Sequence, residues 1–436
     1  MSNIDKNKRI SQTFADTKQR RRNQYACVIT TKIQFNKLNN AQKEHLKMLF
    51  VEAKWMHNHI LNLSKFDASV DVFKLNYTEF KEVKHFDKSR KPIVSSLTHL
   101  SSQMRQDVVK GVCNNIANLA KAKKKGLKVG SLKFLSDYNS INLKQANVSY
   151  KVVGSNKIKV QGIKKPIKVN GLKQLKRFDE YELANARLIR KPSGYYMTIT
   201  VYASINSKPK VEKSKGLLGI DMGCETSFTF SNGEKAVALF EETEQIKKTY
   251  QRMRNKKKGS SNRWHERMRL RKAYEKLDNI KDNAAKQLCS RLKPYHVIIQ
   301  DEQLGNWKKF GHGKKVHHST MGRVKERLTE DGAFVINKFA PTTKLCRYCG
   351  ERNELSQKDR TYVCKKCGYT EDRDIHAAKN MVWFYKNIVG VERKDLKPEV
   401  LKQSIEDYFS AINAFDCGTS YGQECLQEAT NSLGSR

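Results

Sequence analysis

The chain has 436 residues, with 85 Lys and Arg against 44 Asp and Glu, for a formal net charge of +41. That excess points to a polyanionic partner, nucleic acid first. Hydrophobic content of 38%, with 18 Phe and 17 Tyr, excludes a merely disordered basic tail. No apolar run approaches the roughly 20 residues that span a bilayer, so no membrane partner is expected.

Residues 1–22 are polar, end in Arg20-Arg21-Arg22, and read as a flexible basic arm. Residues 25–35 are β-branched and aromatic and predict a strand. Leu46, Leu49, Phe50, Ala53, Trp55, Met56, Ile60 and Leu61 recur at helical spacing and predict a helix from about 41 to 63. A second stripe, from Leu97 through Met104 and Val112 to Leu119, predicts a helix over about 96–124. Together they suggest a helical lobe inserted after the first strand. From about 133 to 205, short alternating runs punctuated by Gly and Pro predict a β-rich module, a small barrel that closes with the strand at 25–35. Residues 206–215 are polar, hold four lysines, and read as a linker.

From Gly216 the pattern becomes α/β. Gly216 to Asp221 predicts a buried strand ending in an acid. Ser227 to Ser231, followed by Asn232-Gly233, predicts a strand and hairpin turn. Residues 242–292 predict a long basic helical pair broken near Gly259, and Val297 to Glu302 predicts another buried strand ending in acids. Residues 311–319 read as a mobile loop. A helix from about Thr320 and a strand at 333–337 follow, and a last helix carries Ala377, Ala378 and Met381. No internal repeat stands out. Residues 251–272 hold ten Lys or Arg and one acid, whereas 395–436 hold seven acids and three basic residues. A polyanion is therefore expected at the middle of the chain, with Lys256, Lys257, Lys258, Arg263, Arg267, Arg269 and Arg271 as candidate nucleic-acid contacts.

Two Cys-x-x-Cys pairs, Cys346/Cys349 and Cys364/Cys367, are separated by residues 350–363. Two such turns supply four soft thiolates to one tetrahedral zinc ion. Gly350 and Gly368 follow each pair, where a turn requiring positive φ wants glycine. The polar, basic N-terminus shows no signal peptide, so a reducing compartment is expected, which argues against disulfides. The remaining cysteines (Cys27, Cys113, Cys224, Cys289, Cys417, Cys425) are scattered and read as ordinary residues.

Asp221 and Glu302 each close an apolar strand at its C-terminal edge, where open α/β sheets place their ligands. Asp374 precedes a helix with small residues on its inner face. Converging, the three carboxylates offer the hard oxygen ligands that Mg²⁺ requires, enough for two ions about 3.5–4 Å apart. Asp301 and Asp372 are the local competitors; alternation places Glu302 on the face of Gln300 and Ile298.

Three blocks then become specific: Gly219-Ile220-Asp221-Met222-Gly223; Gln300-Asp301-Glu302 with Trp307; and the two cysteine pairs followed by Asp372-Arg373-Asp374-Ile375-His376-Ala377-Ala378-Lys379-Asn380. In order and spacing they resemble the split RuvC-like nuclease of the TnpB proteins and their miniature type V (V-F-like) CRISPR relatives. The resemblance is strongest over about 180–385; the N-terminal half matches by layout. It implies a multidomain α+β and α/β chain: a wedge-type β-barrel with an inserted helical recognition lobe, then an RNase H-like RuvC nuclease domain with a zinc-ribbon insertion. The implied divisions are a flexible arm (1–22), a first barrel strand (23–38), the recognition lobe (39–132), the rest of the barrel (133–210), the first nuclease segment (211–338), a zinc-binding target-nucleic-acid-binding insertion (339–370), the last nuclease motif and helix (371–394), and an acidic tail (395–436). The family's core does not require that tail.

The resemblance further implies an RNA-guided DNA endonuclease in the prokaryotic cytoplasm. Asp221, Glu302 and Asp374 carry over as catalytic ligands of two Mg²⁺, and Cys346, Cys349, Cys364 and Cys367 as ligands of one structural Zn²⁺. Guide RNA and target double-stranded DNA are the implied partners, and a homodimer on one guide is compatible with the short recognition lobe. A transposon-encoded TnpB nuclease, a guide-directed binder without nuclease activity, and a transposase are the alternatives.

Overall fold

The computed structural model describes residues 3–389, except 68, 88–90, 209–210, 308–310, 339 and 357–358. The acidic tail, Cys417 and Cys425 lie outside the described residues. The chain divides into two compact units, Met1–Pro209 and Lys210–Arg436, and the division falls inside the lysine-bearing segment read as a linker.

The first unit opens on helix α1 (Asn3–Arg22), not on a flexible arm. The segment holds no Gly or Pro to break a helix. Its basic last turn complements the helix dipole and is anchored: Arg20 and Arg21 pair with Glu182, and the Arg21 guanidinium lies 3.6 Å from the Tyr202 ring centre. Strand β1 (Gln24–Ile33) follows, then helix α2 (Asn40–Phe66), which starts where Asn39 and Gln42 form a reciprocal capping box. A hairpin comes next, β2 (Glu82–Phe86) and β3 (Pro92–Ser96). The expected helix at 96 begins instead as α3 (Ser102–Lys124), because the Ser101 side chain caps it and Ser96 is spent in the hairpin. Strands β4 (Ser140–Leu143), β5 (Tyr150–Val153), β6 (Lys157–Val160), β7 (Ile167–Asn170), β8 (Tyr181–Lys191) and β9 (Gly194–Ser204) complete the unit.

Seven strands form one antiparallel sheet in the order β4-β8-β9-β1-β7-β6-β5. β1 pairs with β9 along nearly its whole length. The two edge strands, β4 and β5, are consecutive in sequence, and a bridge from Ala146 to Tyr150 draws their connection in, so the sheet curls nearly closed. Alternate residues Met197, Ile199 and Val201 of β9 face inward with Ile29 and Ile33 of β1. They share one core with Leu46, Leu49, Phe50, Ala53 and Met56 of α2.

The second unit comprises β10 (Leu217–Asp221), β11 (Phe228–Phe230), β12 (Lys235–Ala236), α4 (Glu244–Arg254), α5 (Ser261–Leu292), β13 (His296–Gln300), α6 (Gly313–His318), α7 (Met321–Glu330), β14 (Phe334–Ile336), β15 (Thr361–Val363), β16 (Thr370–Asp372) and α8 (Arg373–Val389). Its sheet runs β12-β11-β10-β13-β14, with β10, β13 and β14 parallel. Alternation along β13 sorts the covering helices. Val297 and Ile299 pack with Ala285 and Leu292 of α5 and Val324 and Leu328 of α7, while Ile298 packs with Met381 and Phe384 of α8. Both faces are thus covered, as parallel strands require. Residues 313–318, expected as a mobile loop, form helix α6. Lys281 holds the carbonyl of His317 at 3.0 Å, and the His318 ring bonds to the carbonyl of Phe240. Among the described residues, no helix is long and apolar enough to cross a membrane.

Candidate active site

The parallel register sets Ile220 beside Ile299, so Asp221 ends β10 next to Gln300, the last residue of β13. Asp221 and Glu302 therefore leave the same edge of the sheet. Helix α8 brings the third acid. It lies so close to β10 that a Cβ on Gly219 would stand 2.0 Å from the Ala378 carbonyl oxygen. From that crossing, two strand residues lead to Asp221, about 6.6 Å. Four helix residues lead back to Asp374, about 6 Å. The matched spans explain why both acids emerge at one end.

Electrostatics report their proximity. Burial, then the charges of Asp374 and Glu302, push the Asp221 carboxyl well above its usual range, with Arg373 opposing. Burial also raises Glu302, although the Trp307 side chain bonds to it. Asp374 is half-buried and bonded to Arg373 at 3.2 Å.

The competing acids have other partners. Asp301 pairs with Lys325 at 2.7 Å, and the same ammonium donates to the Glu302 carbonyl at 2.8 Å. Asp372 accepts the backbone N–H groups of Asp374 and Ile375, capping α8, and pairs with Lys235 at 2.8 Å. Burial opposes ionisation of Asp372, but Lys235 and the capping N–H groups prevail and lower its pKa.

The four cysteine sulfurs lie within 4.8 Å of one another and interleave the two turns. Cys346 to Cys367 is 3.6 Å, and Cys349 to Cys364 is 3.5 Å. A disulfide needs about 2.05 Å, whereas a tetrahedral zinc with 2.3 Å bonds sets sulfurs about 3.8 Å apart. The donor set fits zinc. Burial opposes ionisation of Cys364, but the backbone N–H groups of Cys367 and Lys366 outweigh it and bring the thiol down to about 6. Gly350 and Gly368 adopt φ of 75° and 74°, as the turns require.

This cysteine module is fastened to α8. His376 is fully buried, stacks on Tyr362 at 3.6 Å, and bonds through Nε2 to the carbonyl of Leu345, the residue before Cys346. Asn380, one turn on, donates to the carbonyls of Leu345 and Thr342. Arg347, inside the first cysteine turn, donates to His376 Nδ1 at 3.1 Å and pairs with Glu371 at 2.9 Å. An acceptor at Nδ1 and a donor at Nε2 define a neutral ring, in accord with burial pushing His376 down to about 4. Glu371 also pairs with Lys379.

Residues 322–381 match the Cas12f1-like TNB domain family. A Streptomyces pristinaespiralis protein named "Putative RNA-guided DNA endonuclease" is 28% identical over 178 residues, 38% of this chain and 44% of that protein. A TnpB-like protein of Aquifex aeolicus is 26% identical over 249 residues, 47% of this chain and 78% of that protein. Over these stretches the chain is similar to Cas12f1-like and TnpB-like proteins. The chain matches less than half the length of the Streptomyces relative. A solved structure described as the Cas12f1-sgRNA-target DNA complex overlaps with a TM-score of 0.43 at 14% identity, covering 79% of this chain and 83% of that one.

Within this TnpB-like chain the basic candidates separate. Lys256, Lys257 and Lys258 are exposed in the turn between α4 and α5, and Arg267 is exposed on α5. Arg263 instead closes the end of α4, where one guanidinium nitrogen donates to the carbonyls of Met253 and Lys256, each at 2.8 Å. Arg269 pairs with the buried Glu266 at 2.6 Å, and Arg271 has interactions of its own. The roles of Arg263, Lys325, Arg347, His376 and Asn380 were not readable from spacing. Arg347, His376 and Asn380 carry only the signal of lying inside the motif blocks, and Arg263 and Lys325 lie outside those blocks.

Proposed function

We propose that the chain is an RNA-guided DNA endonuclease, a miniature type V CRISPR effector with an antiviral role. One observation carries the reading: Asp221, Glu302 and Asp374 arrive at one edge of the parallel sheet, with mutual charge raising Asp221. Asp221, Glu302 and Asp374 would hold magnesium, which would supply positive charge for activating water and stabilising a leaving 3′ oxygen. Lys325 fixes the backbone of Glu302, Arg373 steadies Asp374, and Asp372 caps the helix that presents it. Base pairing with a guide supplies sequence choice, and exposed lysines such as Lys256, Lys257 and Lys258 hold the backbone of the duplex.

The expected result is a defined RNA copurifying with the full chain, and Mg²⁺-dependent cutting of a plasmid matched to a guide placed in that RNA. Random or absent RNA, or cutting indifferent to the guide, refutes the proposal. Mass photometry of the RNA complex distinguishes one protein copy from two. A second reading, a transposon-encoded nuclease, is favoured by the TnpB-like Aquifex relative. The genomic neighbourhood separates the two: a CRISPR array for the first, transposon ends for the second.

The cysteine module is proposed to hold one structural zinc. Cys364→Ser is expected to lose that metal and to loosen α8, which is bonded to the module through Leu345. Structural zinc contributes on the order of 10–16 kcal/mol in small sites, so the local effect should be large. Mass-spectrometric zinc content and amide exchange over 345–380 read it. A Cys364→Ser protein with wild-type zinc content and protection contradicts the assignment.

A further inference from the structure

The geometry points to Tyr348 as a stacking platform for an unpaired nucleobase, on a strand passing to the acidic edge. This rests on the proposed function for the strand's destination. Tyr348 sits inside the first cysteine turn with two-thirds of its surface exposed, at 66%. A lone exposed aromatic is ordinary; what sets this one apart is what lies behind it. The Arg347 guanidinium stands 4.9 Å from the centres of both the Tyr348 and Tyr369 rings, and those rings are 4.5 Å apart at 59°. Arg347 is itself held by His376, Glu371 and the Tyr369 hydroxyl, with only 11% of its side chain exposed. One side of the Tyr348 ring is therefore backed by a fixed cation while the rest meets water. Little side-chain freedom remains to be lost on binding.

The position selects the ligand. Tyr369 leads into β16, and no more than about 10 Å of strand separates it from Asp372, which caps the helix carrying Asp374. Lys365 and Lys366, in the second cysteine turn, are exposed, and the chain carries a charge of +41. Cations beside an open aromatic face are how single strands are held without base preference. A duplex hides its base faces, so only an unpaired strand can use the ring.

The test uses the full chain and a short oligothymidine carrying 2-aminopurine, followed by anisotropy for affinity and by quenching for stacking. Wild type, Tyr348→Phe and Tyr348→Trp are expected to bind alike and to quench. Tyr348→Leu should bind about tenfold more weakly and lose the quench, with an unchanged dependence on salt, because stacking releases no counterions. A Lys365→Ala, Lys366→Ala double variant should instead flatten the salt dependence. Zinc content measured on each protein shows that the module is intact. Tyr348→Leu protein with normal zinc and wild-type affinity and quench overturns the platform. So does an equal loss on fully paired duplex, or displacement of the probe by polyglutamate but not by oligothymidine. These readouts need no cutting, so failure of the guided-nuclease reading would leave them unchanged, and their failure would leave guided cutting intact.

Discussion

Asp221→Asn is expected to abolish cutting and, in the absence of metal, to raise the melting temperature. The two effects share one cause. Asp221 ends β10 in a partly buried position, and burial together with the charges of Asp374 and Glu302 raises its pKa well above 3.8. A carboxyl whose folded pKa is raised lends stability that is fully present below its unfolded value and is lost as pH climbs through the raised one. Metal-free wild type should therefore weaken from about pH 4 upward as Asp221 is forced to ionise. Asparagine keeps the shape and removes the charge, so the variant escapes that loss. A unit of this size shifts by roughly 2–4 °C per kcal/mol, and calorimetry at neutral pH should show a rise of a few degrees. Added Mg²⁺ should stabilise wild type at neutral pH, less so in acid, and the variant hardly at all. Cutting should fall by about three orders of magnitude or more. Metal-held charge is worth several kcal/mol in the transition state, and each 1.36 kcal/mol is tenfold. A variant that still cuts sinks the catalytic assignment; one that melts below wild type sinks the electrostatic account.

What could be read from the sequence was what a short window carries. The buried strand ending at Asp221, the turn glycines Gly350 and Gly368, and the break between α4 and α5 each follow from local pattern, and each is in the structure. Alternation, also a local pattern, favoured Glu302 over Asp301. The reason Asp301 is engaged elsewhere is not local, since its partner Lys325 lies 24 residues away. Asp372 is occupied by Lys235, 137 residues away. The same limit hid the fastening of the cysteine module to α8, whose bond from His376 to Leu345 spans 31 residues. Polarity misled twice. Residues 3–22 and 313–318 are hydrophilic enough to read as mobile, yet they form helices anchored at their last turns by ion pairs and side-chain hydrogen bonds. The hairpin of β2 and β3 escaped notice because it is short and largely exposed, with alternation confined to the five residues of β2.

Gly219→Ala is expected to damage the fold and the chemistry together, although it adds one methyl group. The new Cβ would fall 2.0 Å from the carbonyl oxygen of Ala378 and 3.2 Å from Val382 Cγ2. The obstacle is backbone, so no rotamer relieves it, and α8 must shift outward. Overpacking of this kind costs about 1–3 kcal/mol and occasionally more, a drop of roughly 2–12 °C for this unit. Buried Ala377, Ala378 and Met381 would lose their fit against the sheet. Activity should suffer beyond stability, because α8 carries Asp374 and a displacement of about 1 Å can cost 10²-fold in rate. Gly322→Ala provides the contrast. Gly322 lies in α7, and its added Cβ would meet only Leu304 Cδ1 at an ordinary 3.8 Å. There the same change should stabilise by about 0.5–1 kcal/mol, since glycine in a helix is the costlier residue. Opposite shifts in melting temperature for the two variants, with cutting lost only in Gly219→Ala, are the expected result. A Gly219→Ala chain that melts and cuts like wild type would mean that α8 does not cross β10 at Ala378, and the route that brings Asp374 to Asp221 would have to be rebuilt.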